Sequence, residues 1–275
     1  MNRNYIKHII LLSMTMAMMA SCSVKNSFTF FPDKDYIVKQ EQLPFYIEEL
    51  AVTTDDNKKL QALYYKHNDH KSEKLIVYFH GNAGNLFHRM DYAQRIYEMG
   101  FDVLLASYRG YAQSSGKPSE KGIYSDGAAV LDYAIGNLNY KMSGIIIMGR
   151  SLGSTVAVEI AQNKTPAGVI LITPLTSGKE MAEAMGMKYL KFIAGDSYNS
   201  IAKIDKLSSP LLIIHGDKDE VVPYKMGLDL YEKYPGSKKF VTIPNGGHNN
   251  LQDVQPKLFW TSIYDFIAAC KASHL

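Results

Sequence analysis

The chain is poor in several features that define other classes of protein. Its 275 residues include only two cysteines, Cys22 and Cys270, so no disulfide framework is available and the fold must stand on its core. Formal net charge is +3, and no block of Lys and Arg interleaved with aromatics occurs, so the electrostatic footprint of a nucleic-acid binder is missing. Eight histidines are present, but neither HExxH nor a Cys/His ligand spacing appears, and no Gly-Lys-Ser/Thr follows the glycines near Gly81. Neither a metal nor an organic cofactor is expected. There is no internal repeat, and no apolar run reaches the ~20 residues that a bilayer-spanning helix needs.

What is present points to one large core: 46% of the residues are hydrophobic, and a chain of this length supports a single α/β domain. A near-neutral chain suits a small-molecule or acyl substrate better than a polyanion. At the N-terminus, Arg3, Lys7 and His8 precede an uncharged run from Ile9 to Met19, which closes on Ala20-Ser21-Cys22. A basic region, an apolar region and a small-residue cleavage zone predict a signal peptide over residues 1–21.

Met19-Ala20-Ser21-Cys22 resembles the lipobox of bacterial lipoproteins, with Met19 where Leu is usual. That resemblance implies that Cys22 is lipidated and that the protein is exported to the bacterial cell envelope and held on a membrane by an N-terminal lipid anchor. Ordinary secretion is the alternative. Residues 22–39 then read as a polar tether and residues 40–275 as the folded domain.

From Lys74 onward, short apolar runs alternate with longer amphipathic segments. Leu75 to Phe79, Val103 to Ala106, Ile145 to Met148, Val169 to Ile172 and Leu211 to Ile214 are near-continuous hydrophobic strands, the pattern of a parallel sheet covered on both faces. Asn85 to Met99, Glu120 to Leu138, Ser151 to Gln162, Tyr224 to Tyr234 and about Gln255 to Ala272 read as helices. Tyr46 to Thr53 and Lys59 to Lys66 predict two antiparallel strands at the starting edge. The whole is a doubly wound, mostly parallel α/β sheet. Ser177 to Asn199 breaks the rhythm with Met181, Met185, Met187, Tyr189, Leu190, Phe192 and Ile193, and predicts a small cap.

Gly149-Arg150-Ser151-Leu152-Gly153 follows a strand and opens a helix. In that setting GxSxG is a nucleophile elbow, whose glycines allow a sharp turn that exposes the serine hydroxyl. The pattern alone fits a helix-capping serine equally well. A serine hydroxyl needs a base, and His248, in the loop after the strand Phe240 to Ile243, is the candidate. The acid belongs between them, where Asp217, Asp219 and Glu220 compete by position, with Asp219 preferred; as plain surface charges they would cap the following helix. Charge building on a substrate oxygen needs backbone donors, for which the Asn82 and Leu152 N–H groups are the candidates, with Ala83 as second choice. His80 reads as structural.

Together FHGNAGN at 79 to 85, SYRGYAQSSGKPSEKGIYSD at 107 to 126, GRSLGS at 149 to 154, ITPLTS at 172 to 177, HGDKDEVVP at 215 to 223 and GGHNN at 246 to 250 resemble the α/β-hydrolase superfamily. The similarity is strongest to its Bem46-like and depalmitoylase-like branch and spans roughly Glu49 to Ile267. It implies an α/β-hydrolase fold, a Ser151–Asp219–His248 triad, an oxyanion hole at Asn82 and Leu152, and no cofactor. In that family HGxxDxxVP places the acid at its fifth position, Asp219. Ser107 and Ala112 depart from the usual Asp and Gly, which bears on the local loop; Arg109 and Arg150 read either as braces paired with carboxylates or, equally, as solvated or purely structural arginines. The implied activity is hydrolysis of carboxylic esters or thioesters through an acyl-serine, with an amidase or peptidase as a variant. The rival from another class is a non-catalytic surface lipoprotein that uses the fold as a binding scaffold.

Overall fold

Strands without a polar face have to be covered on both sides, and the apolar runs of this chain accordingly form the centre of one eight-stranded sheet. The computed structural model describes residues 26–27, 29–68, 72–187 and 195–270. The expected signal peptide, Cys22, and the cap residues Tyr189, Leu190, Phe192 and Ile193 lie outside the described residues. In chain order the strands are β1 (Ile47–Thr53), β2 (Lys59–Tyr65), β3 (Leu75–Phe79), β4 (Asp102–Ala106), β5 (Ile145–Arg150), β6 (Gly168–Ile172), β7 (Leu211–Gly216) and β8 (Lys238–Ile243). Across the sheet they run β8-β7-β6-β5-β3-β4-β2-β1. β3 to β8 are parallel, whereas β2 is antiparallel to both β1 and β4, so the expected antiparallel edge is present.

Side chains alternate between two buried clusters. Val77, Ile147, Leu171 and Ile213 face one, together with Val130, Val156 and Leu230; Ile76, Ile146, Ile170 and Ile214 face the other, together with Ile96, Phe259 and Ile263. The helices are α1 (Met90–Tyr97), α2 (Glu120–Gly136), α3 (Leu152–Ala161), α4 (Gly178–Ala184), α5 (Tyr224–Lys233), α6 (Leu251–Val254) and α7 (Pro256–Ala269). On this division α2, α3 and α5 cover one face, and α1 and α7 the other.

Three helix starts differ from the sequence reading for local reasons. Asn85 takes an extended conformation and accepts the Phe87 N–H, so a 3-10 turn, Leu86–Arg89, precedes α1. Ser151 has a positive φ that no helix admits, so α3 begins at Leu152. Pro256, without an N–H to give, opens α7 at its first position. In the expected cap, Ser177 accepts the Glu180 N–H (3.1 Å) and starts α4, from which Met181 packs on the core while Met185 is exposed.

The segment assigned to a tether as far as Lys39 is in part seated on the domain. Phe30 is buried, edge-on to Tyr198 at 6.4 Å between ring centroids, and Phe31–Pro32 pairs in parallel with Ala83–Gly84. One buried aromatic in a polar stretch leaves no periodic signal, so the sequence reading placed the domain boundary too late.

Of the two readings open for Arg109, the structure shows the pairing with carboxylates. Its Nε donates to Asp126 Oδ1 (2.8 Å), its main-chain N–H to Asp126 Oδ2 (2.8 Å), and its Nη1 and Nη2 to the Asp56 carboxylate (2.8 and 3.0 Å). Asp126 is buried, and burial pushes its carboxyl above the ordinary value in spite of that guanidinium. Removing Arg109 strands a buried carboxylate. Arg109→Met should therefore cost about 3–5 kcal/mol of stability, read from urea denaturation midpoints; a loss below about 1 kcal/mol would show that Asp126 finds other donors.

Candidate active site

At the carboxyl end of β5 the chain turns into α3 within one residue, and Ser151 occupies the corner with φ 51° and ψ −120°. Non-glycine residues avoid that region at a cost of order 1–3 kcal/mol. Close contact enforces it. A Cβ on Gly149 would lie 2.2 Å from the Gly153 carbonyl oxygen, and one on Gly153 would lie 2.1 Å from that of Phe79, so strand, helix and the end of β3 meet where no side chain fits. The Ser151 N–H donates to the Ile172 carbonyl (2.9 Å) of β6 and locks the corner to the sheet. Its hydroxyl makes no capping bond to α3. Instead Ser151 Oγ lies 3.1 Å from His248 Nε2.

His248 is buried in the loop after β8, and its Nδ1 lies 2.9 and 3.1 Å from the two oxygens of Asp219, which follows β7. Among the three acidic residues of that loop, only Asp219 meets the imidazole. Asp217 accepts the Asn245 N–H (2.7 Å) and Glu220 the His248 N–H (3.3 Å), so both hold the histidine loop by its backbone. Asp219 Oδ1 also accepts the N–H groups of Val221 (2.9 Å) and Val222 (2.8 Å). Burial pushes its carboxyl up, but hydrogen bonds from His215, His248 and the Val222 N–H outweigh it and hold Asp219 well below the usual carboxylate range. A permanent carboxylate at Nδ1 makes that nitrogen the donor and leaves the Nε2 lone pair facing the serine hydroxyl.

The roles of two contributors were not settled by the sequence. His215, fully buried at the end of β7, places Nε2 3.2 Å from Asp219 Oδ2 and 3.0 Å from the Val222 carbonyl. Its only sequence signal is its place at the head of HGDKD. Arg150, for which the sequence leaves both a carboxylate partner and a purely structural role open, donates through Nη2 to the His248 carbonyl (2.9 Å) and to Asn249 Oδ1 (3.2 Å). It anchors the histidine loop because the loop carbonyl, and no acid, lies over the end of β5.

The Leu152 N–H opens α3, where no intrahelical acceptor exists. Asn82 lies in the loop after β3, which passes the serine closely enough that a Cβ on Gly81 would be 3.6 Å from Ser151 Cβ. Among the described residues neither N–H meets a hydrogen-bond acceptor. Ala83, the second choice, lies in the short pairing with Phe31. His80 is buried, with Nδ1 donating to the Gly81 carbonyl (2.7 Å), and burial pulls its pKa down to about 3, so it is neutral. Among the described residues no group of three or more His, Cys, Asp or Glu is arranged to hold a metal ion. The arrangement can take a proton from a hydroxyl and leaves two main-chain N–H groups beside it without acceptors among the described residues.

Residues 70–202 match the family model described as serine aminopeptidase, S33, and residues 182–253 match that of the alpha/beta hydrolase fold. An uncharacterized protein of Mycobacterium tuberculosis is 31% identical over 223 residues, 80% of this chain and 78% of its own. Alpha/beta hydrolase domain-containing protein 17C of Xenopus tropicalis is 34% identical over 182 residues, 66% of this chain and 58% of its own. An esterase of Pyrococcus furiosus superposes with a TM-score of 0.73 at 19% identity, over 88% of this chain and 97% of that one. A Butyrivibrio proteoclasticus protein with ferulic acid bound gives 0.67 at 22% identity, over 82% and 100%. At such identities the solved structures establish the fold alone.

His215→Leu should remove a donor to a charged acceptor, a loss of about 1.5–3 kcal/mol at neutral pH. The Asp219 carboxyl should then rise toward the ordinary Asp value of about 3.9, as read by carbon-13 NMR titration. Asp219 is depressed in the folded state, so its contribution to stability is complete above the unfolded value and fades as pH falls through the folded one. The stability gap between variant and wild type should accordingly be constant down to about pH 4 and narrow below it. An unmoved carboxyl would show that His215 serves only the Val222 carbonyl.

Proposed function

Because the chain belongs to the α/β-hydrolase superfamily, we propose that it is a serine hydrolase that cleaves carboxylic esters or thioesters through a covalent acyl intermediate on Ser151. The observation that carries this reading is the continuous relay from Ser151 Oγ to His248 Nε2 at 3.1 Å and from His248 Nδ1 to Asp219 at 2.9 Å. His248 takes the hydroxyl proton as Ser151 Oγ attacks the acyl carbon. The carbonyl oxygen becomes an oxyanion that accepts from the Asn82 and Leu152 N–H groups. Collapse expels the alkoxide or thiolate, which leaves with the proton held by His248, and water repeats the sequence on the acyl-enzyme. Asp219 holds the imidazole tautomer and stabilises the imidazolium as it forms.

The family description of a serine aminopeptidase favours amides as a second reading, because the same relay can protonate an amine leaving group. A panel of p-nitrophenyl esters, acyl thioesters of graded chain length and aminoacyl p-nitroanilides separates the two by kcat/KM. The wild-type protein should react with a fluorophosphonate probe, and Ser151→Ala should abolish labelling while keeping the fold. An intact wild-type chain that is never labelled would favour a binding scaffold instead. Asp219→Asn should lower kcat by roughly 10⁴-fold, since the imidazole then loses its orienting charge; loss in Asp217→Asn with Asp219→Asn unaffected would move the acid.

The reading extends to the N-terminus, where Met19 to Cys22 supports lipidation of Cys22 and a place in a bacterial cell envelope. In this reading the attachment is the lipid on Cys22; no helix among the described residues is long and apolar enough to cross a membrane. Cys22→Ser should move the protein from the membrane pellet to the soluble fraction on ultracentrifugation, and unchanged pelleting would remove the anchor.

A further inference from the structure

An oxyanion donor works only when its N–H is held on the position the oxygen will take, and the Asn82 N–H sits in a loop outside the main sheet. Two peptide planes bracket Asn82, and both are held by side chains or by chain from elsewhere. The plane that carries its N–H ends in the Gly81 carbonyl, which accepts from His80 Nδ1 (2.7 Å). The following plane carries the Asn82 carbonyl, which accepts from the Phe31 N–H (3.0 Å) and from the Tyr111 hydroxyl (2.6 Å).

The segment that supplies Phe31 is bound along this whole loop. Asn82 Nδ2 donates to the Thr29 carbonyl (3.1 Å), and the Asp33 N–H donates to the Gly84 carbonyl (3.0 Å). Asn85, fully buried, donates through Nδ2 to the carbonyls of Asp33 (3.2 Å) and Tyr36 (2.7 Å). On its far side the segment is fixed in turn, by Phe30 in the core and by the Ala112 N–H donating to the Asp33 carbonyl (3.0 Å).

We propose that Thr29–Tyr36 is a positioning strap that, together with Tyr111, sets the direction of the Asn82 N–H and so the strength of the oxyanion hole. The inference rests on the proposed serine-hydrolase reading, with acyl transfer at Ser151 and Asn82 as an oxyanion donor. Neither Phe31 nor Tyr111 touches the reacting atoms; both act through the Asn82 carbonyl. With either donor gone the other still holds the Asn82–Ala83 plane; with both gone that plane can rotate about Asn82 Cα, and the adjoining Gly81–Asn82 plane, which carries the Asn82 N–H, is left with the His80 bond alone to hold its direction.

Full-chain variants test this. Phe31→Pro deletes one donor, Tyr111→Phe deletes the other, and Asn82→Ala keeps the main-chain N–H while cutting the tie to Thr29. On a p-nitrophenyl ester each single variant should lose a few-fold in kcat, and the Phe31→Pro/Tyr111→Phe double should lose roughly 10- to 100-fold, part of the 10²–10³ that a whole oxyanion donor supplies. KM should stay within about threefold, because the ground-state carbonyl gains little from the donor. Inhibition constants for a trifluoromethyl ketone, which forms a tetrahedral oxyanion on the serine, should rise in parallel with the loss in kcat/KM. A folded double variant with kcat within about twofold of wild type, or losses confined to KM, would overturn the strap. If the double fails to fold, the same split between kcat and KM in the three single variants decides. Failure of the underlying reading looks different: Ser151→Ala would then keep full turnover whatever the strap variants do.

Discussion

The site depends on one crowded crossing, where the end of β5, the start of α3 and the end of β3 approach within carbonyl contact. Gly149 and Gly153 are glycines because backbone oxygens occupy the space a Cβ would need, and the same crowding drives Ser151 into its positive-φ corner. A strained residue persists only where its surroundings over-determine it. Here they do so through the sheet bond from the Ser151 N–H to β6 and through the helix that starts immediately after it. The strain lifts the hydroxyl clear of the helix it would otherwise cap and presents it to the imidazole.

From that corner outward, each candidate group hangs from the carboxyl end of a different parallel strand. Asn82 follows β3, Ser151 follows β5, Asp219 follows β7 and His248 follows β8. Parallel strands with helices on both faces bring such ends to one edge, which is where ligands of open α/β sheets bind. Rigidity then comes from pairing in the loops. The Asp219 carboxylate is buried and fully occupied by donors, Asp217 and Glu220 hold the backbone of the histidine loop, and Arg150 holds its carbonyl. Burying a carboxylate is costly unless every lone pair is met, and this one is met from four sides.

Ala112 illustrates how the periphery is joined to this frame. It sits at φ 45°, in the left-handed region that glycine enters without a steric cost, and glycine is the residue usual there in the resembling family. Its N–H is bound to the Asp33 carbonyl of the N-terminal segment, which also runs along the oxyanion loop. The loop of Tyr108 to Tyr111, the loop of Asn82 to Asn85 and the chain from Phe30 to Tyr36 therefore form one hydrogen-bonded unit beside the serine.

The sequence by itself determined the covered parallel sheet, because near-continuous runs such as Leu75 to Phe79 and Ile145 to Met148 can be buried only between two helical layers. It also determined the elbow, since glycines two residues either side of a serine between strand and helix have a steric reason to be there. Asp219 was separable from Asp217 and Glu220 only by resemblance, as three neighbouring carboxylates look alike until a fold aims them. Tertiary structure alone decided what lies beyond: His215 against Asp219, Arg150 on a carbonyl in place of an acid, and Phe30 to Tyr36 seated along the oxyanion loop. The contacts of Arg150 and of the N-terminal segment reach main-chain groups up to about a hundred positions away, which every residue type carries, and His215 meets Asp219 only once their loop is folded, so no periodicity records them.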